Sequence, residues 1–320
     1  MLKKIAQLIK SFDNIMIICH IRADGDTLGS AYALKEALEN LNKKVCVACD
    51  TPITPKYQYI TNGVSQLLPE FDPEHVICVD VATEKLIGES LSGFLDRVDV
   101  VIDHHPTNSL YGKENYVEAD KGATGEIIYK LIKEMGCEIT PKIAEYIYIA
   151  ISTDTGCFRY SNTTAESLRT TAELYEFGIP ASEINRRFFE TTTKNNIALQ
   201  KMIFDRIHFY RQGTIAFLII SLDMIEKTGV NEDDVESMTV YPRRIEGVEV
   251  GIVMREIEVN KYKVSARSND YIDVSKICQK YGGGGHIKAA GCTIAGDPLD
   301  IERDLATDII EAFEESQENN

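Results

Sequence analysis

Short runs of Val and Ile that recur between helical patterns constrain the fold of this chain more than any other feature. Asn14–His20 (NIMIICH), Lys44–Asp50 (KVCVACD), His75–Val81 (HVICVDV) and Val98–His104 (VDVVIDH) each have the length and composition of a strand. Asp26–Leu41 (DTLGSAYALKEALENL) lies between the first two and carries apolar residues at helical spacing, with Asp26 or Thr27 placed to cap it. Strand and helix in alternation predict an α/β fold, with a parallel sheet and flanking helices on both faces. Ala144–Ser152 (AEYIYIAIS) suits a buried helix or a strand and is read here as a helix. Arg186–Arg211 reads as one long polar helical stretch. Strands are expected again at Thr214–Ile220, Val248–Glu256, Tyr262–Ser268 and Cys292–Ala295, before an acidic helix at Pro298–Glu315 and a polar tail at Ser316–Asn320. The expected division is a first domain over 1–187, a helical linker over 188–212 and a smaller α/β domain over 213–320, with the active site in the cleft between the two domains.

Charge narrows the partners. The chain has 50 acidic against 34 basic residues, a net charge of −16. Phosphate contacts dominate nucleic-acid affinity, so such a chain disfavours long duplexes, while one positive pocket still suits a short anion. No apolar run nears the eighteen or so residues of a membrane helix. The opening apolar stretch is broken by Lys10, Asp13 and Asn14, unlike a secretory signal, so a cytoplasmic location is expected. Eight cysteines without framework spacing read as reduced thiols. Cys46 and Cys49 have redox or zinc spacing, but residues three apart on a strand point to opposite faces, which favours core packing.

Histidines and aspartates gather where the expected strands end. His20, Asp24 and Asp26 follow the first strand, Asp80 ends the third, and Asp103, His104 and His105 end the fourth. Asp154 follows the Tyr-rich segment in Ser-Thr-Asp-Thr-Gly. Ligands of open parallel sheets bind beyond the carboxyl ends of the strands, so these segments converge on one rim. Carboxylates held this close repel unless divalent cations neutralise them. Imidazole and carboxylate without thiolate suit Mn²⁺, with Mg²⁺ or Co²⁺ as substitutes. Two ions about 3.5–4 Å apart are a common arrangement for phosphate-ester hydrolysis. A lone Asp here would be read as a helix cap and a lone His as a packed surface residue, but their joint occurrence favours a metal site.

The ordered set HIRADGD, Asp80, DHH at Asp103–His105 and TDTG at Thr153–Gly156 resembles the motifs of the DHH phosphoesterases. Gly282-Gly-Gly-Gly-His286-Ile-Lys-Ala-Ala-Gly291 resembles the signature of the DHH-associated C-terminal domain. Size and domain pairing look most like the bacterial short-oligoribonucleotide hydrolases, the nanoRNases. The resemblance implies that 1–187 is catalytic and that 213–320 holds substrate. It implies His20 and Asp24 on a first ion, Asp26, His104 and Asp154 on a second, and Asp80 bridging both. Asp103 then orients an imidazole, and His105 donates a hydrogen bond or proton to the scissile phosphate. The implied activity is degradation of very short RNA, such as linear diadenylate, and dephosphorylation of adenosine 3′,5′-bisphosphate to AMP. A dedicated cyclic or linear dinucleotide phosphodiesterase is the alternative. A non-enzymatic nucleotide sensor has no need of a second ion and a proton donor. A homodimer is left open.

The glycine run also has a physical reading. Gly283, Gly284 and Gly285 let backbone N–H groups approach an anion without Cβ clashes, with His286 as a further donor. Tyr241–Gly291 holds nine basic against six acidic residues, whereas Cys292–Asn320 holds one against nine. Arg267 and His286 are the leading substrate contacts. Arg243 and Arg244 are weaker candidates, equally readable as a solvated face. Arg159 is placed either to reach substrate or to pair with a surface acid.

Overall fold

The chain divides between Thr191 and Thr192 into two units, each with its own sheet and core. The computed structural model describes residues 1–318, so the last two residues of the expected polar tail lie outside it.

The first unit runs α1 (Leu2–Ser11), β1 (Ile15–Ile18), α2 (Gly25–Glu39), β2 (Val45–Ala48), β3 (His75–Val79), β4 (Val98–Asp103), β5 (Glu114–Val117), α3 (Thr124–Glu134), α4 (Pro141–Asp154), α5 (Ala165–Tyr175) and α6 (Ala181–Asn185). Its five strands are all parallel, in the order β2-β1-β3-β4-β5. The side chains alternate even though nearly all are buried. Ile15, Ile17, Ile77, Val79, Val100 and Ile102 join one core with α1 to α5, while Met16, Ile18, Val76, Cys78, Val98 and Val101 form the other. Cys46 and Cys49 fall into opposite cores, as the strand reading requires, and all eight cysteines are free.

Two expectations are corrected here. Helices were expected on both faces, yet among the described residues no α-helix enters the second core. Phe94 and Leu95 of a 3₁₀ turn, with Ile87 and Leu91 from the residues that flank the 3₁₀ turns, cover it between β3 and β4. That connection contains Gly88, Ser90, Ser92 and Gly93, residues that favour turns, and Ser90 is held by the Asp50 carboxylate. The single helical stretch expected over Arg186–Arg211 is also broken. A π-helical turn at Arg186–Glu190 ends the first unit, and Thr193 caps a new helix by accepting from Asn196 N at 2.9 Å. Three consecutive β-branched residues, Thr191 to Thr193, favour the extended break. Ala144–Ser152 is helical because Thr140 caps α4 and Pro141 opens it.

The second unit runs α7 (Lys194–Phe204), β6 (His208–Tyr210), β7 (Ile215–Ile220), α8 (Leu222–Thr228), α9 (Glu232–Glu236), β8 (Val250–Glu258), β9 (Lys261–Ser268), α10 (Val274–Lys280), β10 (Gly284–His286), β11 (Ala289–Ala295) and α11 (Pro298–Glu318). Its sheet is mixed, in the order β10-β11-β9-β8-β7-β6, with only β7 and β8 parallel. Leu199 and Ile203 of α7 pack against Leu218 and Ile220, so α7 belongs to this unit rather than to a linker. Ile277, Leu305, Ile309 and Phe313 cover the opposite face. Among the described residues, no helix is long and apolar enough to cross a membrane.

Candidate metal centre

The order β2-β1-β3 reverses the direction of chain progression between β1 and β3. In a parallel sheet, such a switch point leaves a crevice at the strand carboxyl ends. The sequence-predicted residues of the first unit collect there. His20 follows β1, Asp24 caps α2 and Asp26 sits in its first turn. Asp24 Oδ1 accepts from the amides of Asp26 and Thr27 at 3.0 and 3.1 Å. Asp80 follows β3 with a left-handed φ of +62°, an uncommon conformation for a residue with a side chain and one found at functional sites. Asp103 ends β4, and Asp154 is the last residue of α4.

Three side-chain groups form: His20, Asp24 and Asp80; Asp26, His104 and Asp154; and Asp80, His104 and His105. His20 Nε2 lies 3.6 Å from Asp24 Oδ1 and 3.8 Å from Asp80 Oδ2. His104 Nε2 lies 3.7–3.8 Å from oxygens of Asp26, Asp80 and Asp154. These gaps are too long for good hydrogen bonds. The Nδ1 atoms face backbone carbonyls instead: His20 at 2.7 Å from Ile21 O and His104 at 3.0 Å from Lys121 O. Anchoring one ring nitrogen on a carbonyl while the other faces carboxylates is the usual support of a metal-binding imidazole. Asp80 joins both sides of the crevice, with Oδ2 toward His20 and Oδ1 toward His104.

Carboxylates crowd the crevice and perturb one another. Burial and then the charges of Asp80 and Asp154 push the Asp26 carboxyl well above the usual carboxylate range. Burial and neighbouring acids push Asp154 up to about 7. Burial works to lower His20, but the carboxylates of Asp24 and Asp80 outweigh it and raise the imidazole to about 10. An all-nitrogen-and-oxygen donor set with this excess of negative charge fits divalent cations.

His105 has a different setting. Its Nδ1 is 2.8 Å from Asp103 Oδ1, which also accepts the amides of His104 and His105 at 2.8 and 3.2 Å. Asn108 Nδ2 donates to Asp103 Oδ2 at 2.6 Å. Asp103 is fully buried and committed to holding the His105 ring, which is 40% exposed and leaves Nε2 unengaged by Asp103.

Several supporting residues escaped the sequence reading. Thr124 donates Oγ1 to Asp80 Oδ1 at 2.8 Å and its amide to Asp26 Oδ2 at 2.7 Å. The Gly125 amide and Ser30 Oγ donate to Asp26 Oδ1 at 2.9 and 3.0 Å. Asn162 Nδ2 holds Asp154 Oδ2 at 3.1 Å. The segment Lys121-Gly-Ala-Thr-Gly-Glu126 carried the available signal, since small residues opening a helix suit an anion at its N-terminus. Arg159 folds back, donating Nε to Gly156 O at 2.6 Å.

In the second unit, the glycine run is a hairpin. The amides of Gly282 and Gly283 donate to Gln279 O and Cys278 O, and β10 pairs with β11. Gly285 has φ +145°, and a Cβ there would stand 2.5 Å from Ala289 O. Gly283 and Gly285 are therefore required by close packing on β11, whereas a Cβ at Gly284 would meet nothing within 4 Å. Gly284 and His286 pair with Gly291 and Ala289, and Arg267 pairs with Ala289 from the other side.

This fold and site define a class. Residues 14–151 match the DHH family N-terminal domain, residues 212–317 match the DHHA1 domain, and the chain belongs to the DHH family. Among particular relatives, the bifunctional oligoribonuclease and PAP phosphatase NrnA of Thermus thermophilus is 32% identical over 305 residues, covering 93% of this chain and 90% of that protein. The protein of the same name from Bacillus subtilis is 30% identical over 300 residues, covering 91% and 92%. An exopolyphosphatase-related protein from Bacteroides fragilis shares the fold, with a TM-score of 0.85 at 22% identity over 99% of this chain and 95% of that one.

Proposed function

We propose that this chain is a two-metal phosphohydrolase that cleaves very short oligoribonucleotides to mononucleotides and removes the 3′-phosphate of adenosine 3′,5′-bisphosphate. The observation that carries the reading is Asp80, a buried carboxylate directed at both His20 and His104. The names of the full-length relatives support the substrate class. His20 and Asp24 would hold one cation, Asp26, His104 and Asp154 the other, and Asp80 both. Mn²⁺ suits this donor set best, with Mg²⁺ or Co²⁺ as substitutes. When bound, such ions withdraw charge from a phosphate and make water more acidic.

The protein's own groups do the rest. Thr124 and Gly125 aim Asp26, and Thr124 also aims Asp80. Asp103 fixes the His105 ring so that Nε2 can donate a hydrogen bond or proton to the scissile phosphate. Arg267 and His286 would bind substrate phosphate from the second unit, with the Gly283–Gly285 hairpin setting the position of His286, and Arg159 would give a weaker contact. The location is taken to be cytoplasmic.

The test is turnover by the full chain of linear diadenylate, cyclic diadenylate and adenosine 3′,5′-bisphosphate, with Mn²⁺ and after exhaustive chelation. Linear diadenylate and the bisphosphate should be turned over in Mn²⁺ only. Full activity after chelation would overturn the metal assignment, and exclusive action on the cyclic substrate would favour a dedicated phosphodiesterase.

A further inference from the structure

The strand registers of the second unit oppose His286 on β10, Ala289 on β11, Arg267 on β9, Gly251 on β8 and Ala216 on β7 in one continuous row. Opposed residues share a face of the sheet, and neighbouring strands lie about 4.8 Å apart. The row thus sets two groups able to bind anions, His286 and Arg267, on one face with only small residues between and beyond them.

Gly251 admits a further element to that face. The turn Pro242–Arg244 lies directly on it, and a Cβ at Gly251 would stand 2.6 Å from Arg243 N and 2.8 Å from Pro242 Cβ. Asn269 Nδ2 donates to Arg243 O and to Val248 O, both at 2.8 Å, and ties the turn to the end of β9. The Arg243 backbone is therefore fixed over the face that carries Arg267 and His286.

The Arg243 guanidinium has no ion pair or hydrogen bond among the described residues, and its Nε is buried without an acceptor. Arg97, Arg187 and Arg303 have acidic partners, as an excess of 50 acids over 34 bases makes easy. Arg255 also has a buried Nε without an acceptor, but its two terminal nitrogens are held by Glu232, whereas the Arg243 guanidinium has no such carboxylate among the described residues. A buried donor without an acceptor destabilises the folded state unless a ligand supplies one. Guanidinium is the side chain best shaped to take phosphate.

We infer that Arg243 is a specificity-determining residue that receives a second phosphate of the substrate, a phosphate monoester remote from the one being cleaved. The inference rests on the phosphohydrolase reading for the roles of Arg267 and His286. Two substrates carry such a group: a nucleoside 3′,5′-bisphosphate and a 5′-phosphorylated dinucleotide.

The experiment is steady-state kinetics of the full chain on two matched pairs. One pair is adenosine 3′,5′-bisphosphate and adenosine 3′-monophosphate. The other is diadenylate with and without a 5′-phosphate. Arg243→Gln should raise KM roughly ten- to a hundredfold for a member with the second phosphate, the usual size of a hydrogen bond to a charged group, with kcat and the other member little changed. Arg243→Lys, which keeps the charge but not the fork, should fall between, and it carries the test if Arg243→Gln fails to fold. Arg303→Gln, an equal charge change on α11, should leave all four substrates unaffected. An effect confined to one pair identifies which substrate uses Arg243. Equal effects on both members of each pair, or none, would overturn the inference. If the wild type turns over none of the four, the functional reading fails separately. Equilibrium binding of adenosine 3′,5′-bisphosphate and the 3′-monophosphate then decides: a preference for the bisphosphate lost in Arg243→Gln supports the role, and an unchanged or absent preference overturns it.

Discussion

Asp80 and His105 sit 3.5 Å apart but have opposite surroundings, and their substitutions should separate accordingly. Asp80 is buried, held in a left-handed turn and directed at histidines on both sides of the crevice. Asp80→Ala should lose more metal than substitution of any other ligand. His105 is committed to Asp103 through Nδ1, so His105→Ala should keep nearly all the metal while turnover falls about a hundredfold or more. Metal content per chain, measured beside kcat, checks both, and a His105→Ala protein as depleted as Asp80→Ala would reverse the assignment. The same residues set a pH dependence. Against the effect of burial, neighbouring carboxylates raise His20 to about 10, and burial raises Asp154 to about 7, so on the proposed two-metal reading cation binding would displace their protons. Metal affinity should therefore rise with pH between about 6 and 8, by roughly tenfold per unit for each proton released. Titration calorimetry at several pH values measures this, and a flat profile would remove both groups from the ligand set.

At the scale of elements, the amino end of α3 ties the candidate centre together, because Thr124 and Gly125 hydrogen-bond Asp26 and Thr124 also holds Asp80. Thr124→Val removes the hydroxyl bond to Asp80 but keeps the amide bond to Asp26. Metal affinity should weaken by about ten- to a hundredfold, the usual effect of removing a partner behind a ligand, with a small change in melting temperature. Unchanged affinity would leave Thr124 with only a packing role. This contribution was hard to read because an amide or hydroxyl becomes a partner only when another strand end is folded against it. The strand-end acids and imidazoles were legible for the opposite reason: each follows directly on a Val/Ile run whose pattern is local. Ala144–Ser152 was ambiguous by composition and was settled by Thr140 and Pro141 just before it. The helical reading of Arg186–Arg211 failed because polar periodicity does not register a cap such as Thr193, nor the burial of Leu199 and Ile203. The glycine run suggested a loop open to anions, whereas Gly283 and Gly285 are required by contacts with β11, which are distant in pattern though near in sequence.

At the scale of the molecule, a net charge of −16 opposes the binding of any long polyanion. Basic residues outnumber acidic ones over Tyr241–Gly291, the segment that includes Arg243, Arg267 and His286, while Cys292–Asn320 is strongly acidic. On the proposed function, this segment would offer favourable contacts to a few phosphates, and each further nucleotide would meet repulsion. The repulsion reaches about 30 Å at 0.01 M salt but only about 10 Å at 0.1 M. Efficiency should therefore fall from about two to five nucleotides toward about twenty, and should fall less steeply at the higher salt. An enzyme whose surface did not repel RNA would show only weaker binding as salt rises. On the proposed function, in which Arg267 and His286 bind substrate, Arg267→Ala and His286→Ala should raise KM for the short substrates with smaller loss of kcat on a minimal phosphodiester. The measurement is kcat/KM against length at two salt concentrations for the wild type and both variants. Efficiency that stays level or rises with length at low salt would show that the acidic surface sets no limit on substrate size, and the chain would then be read as a processive nuclease instead.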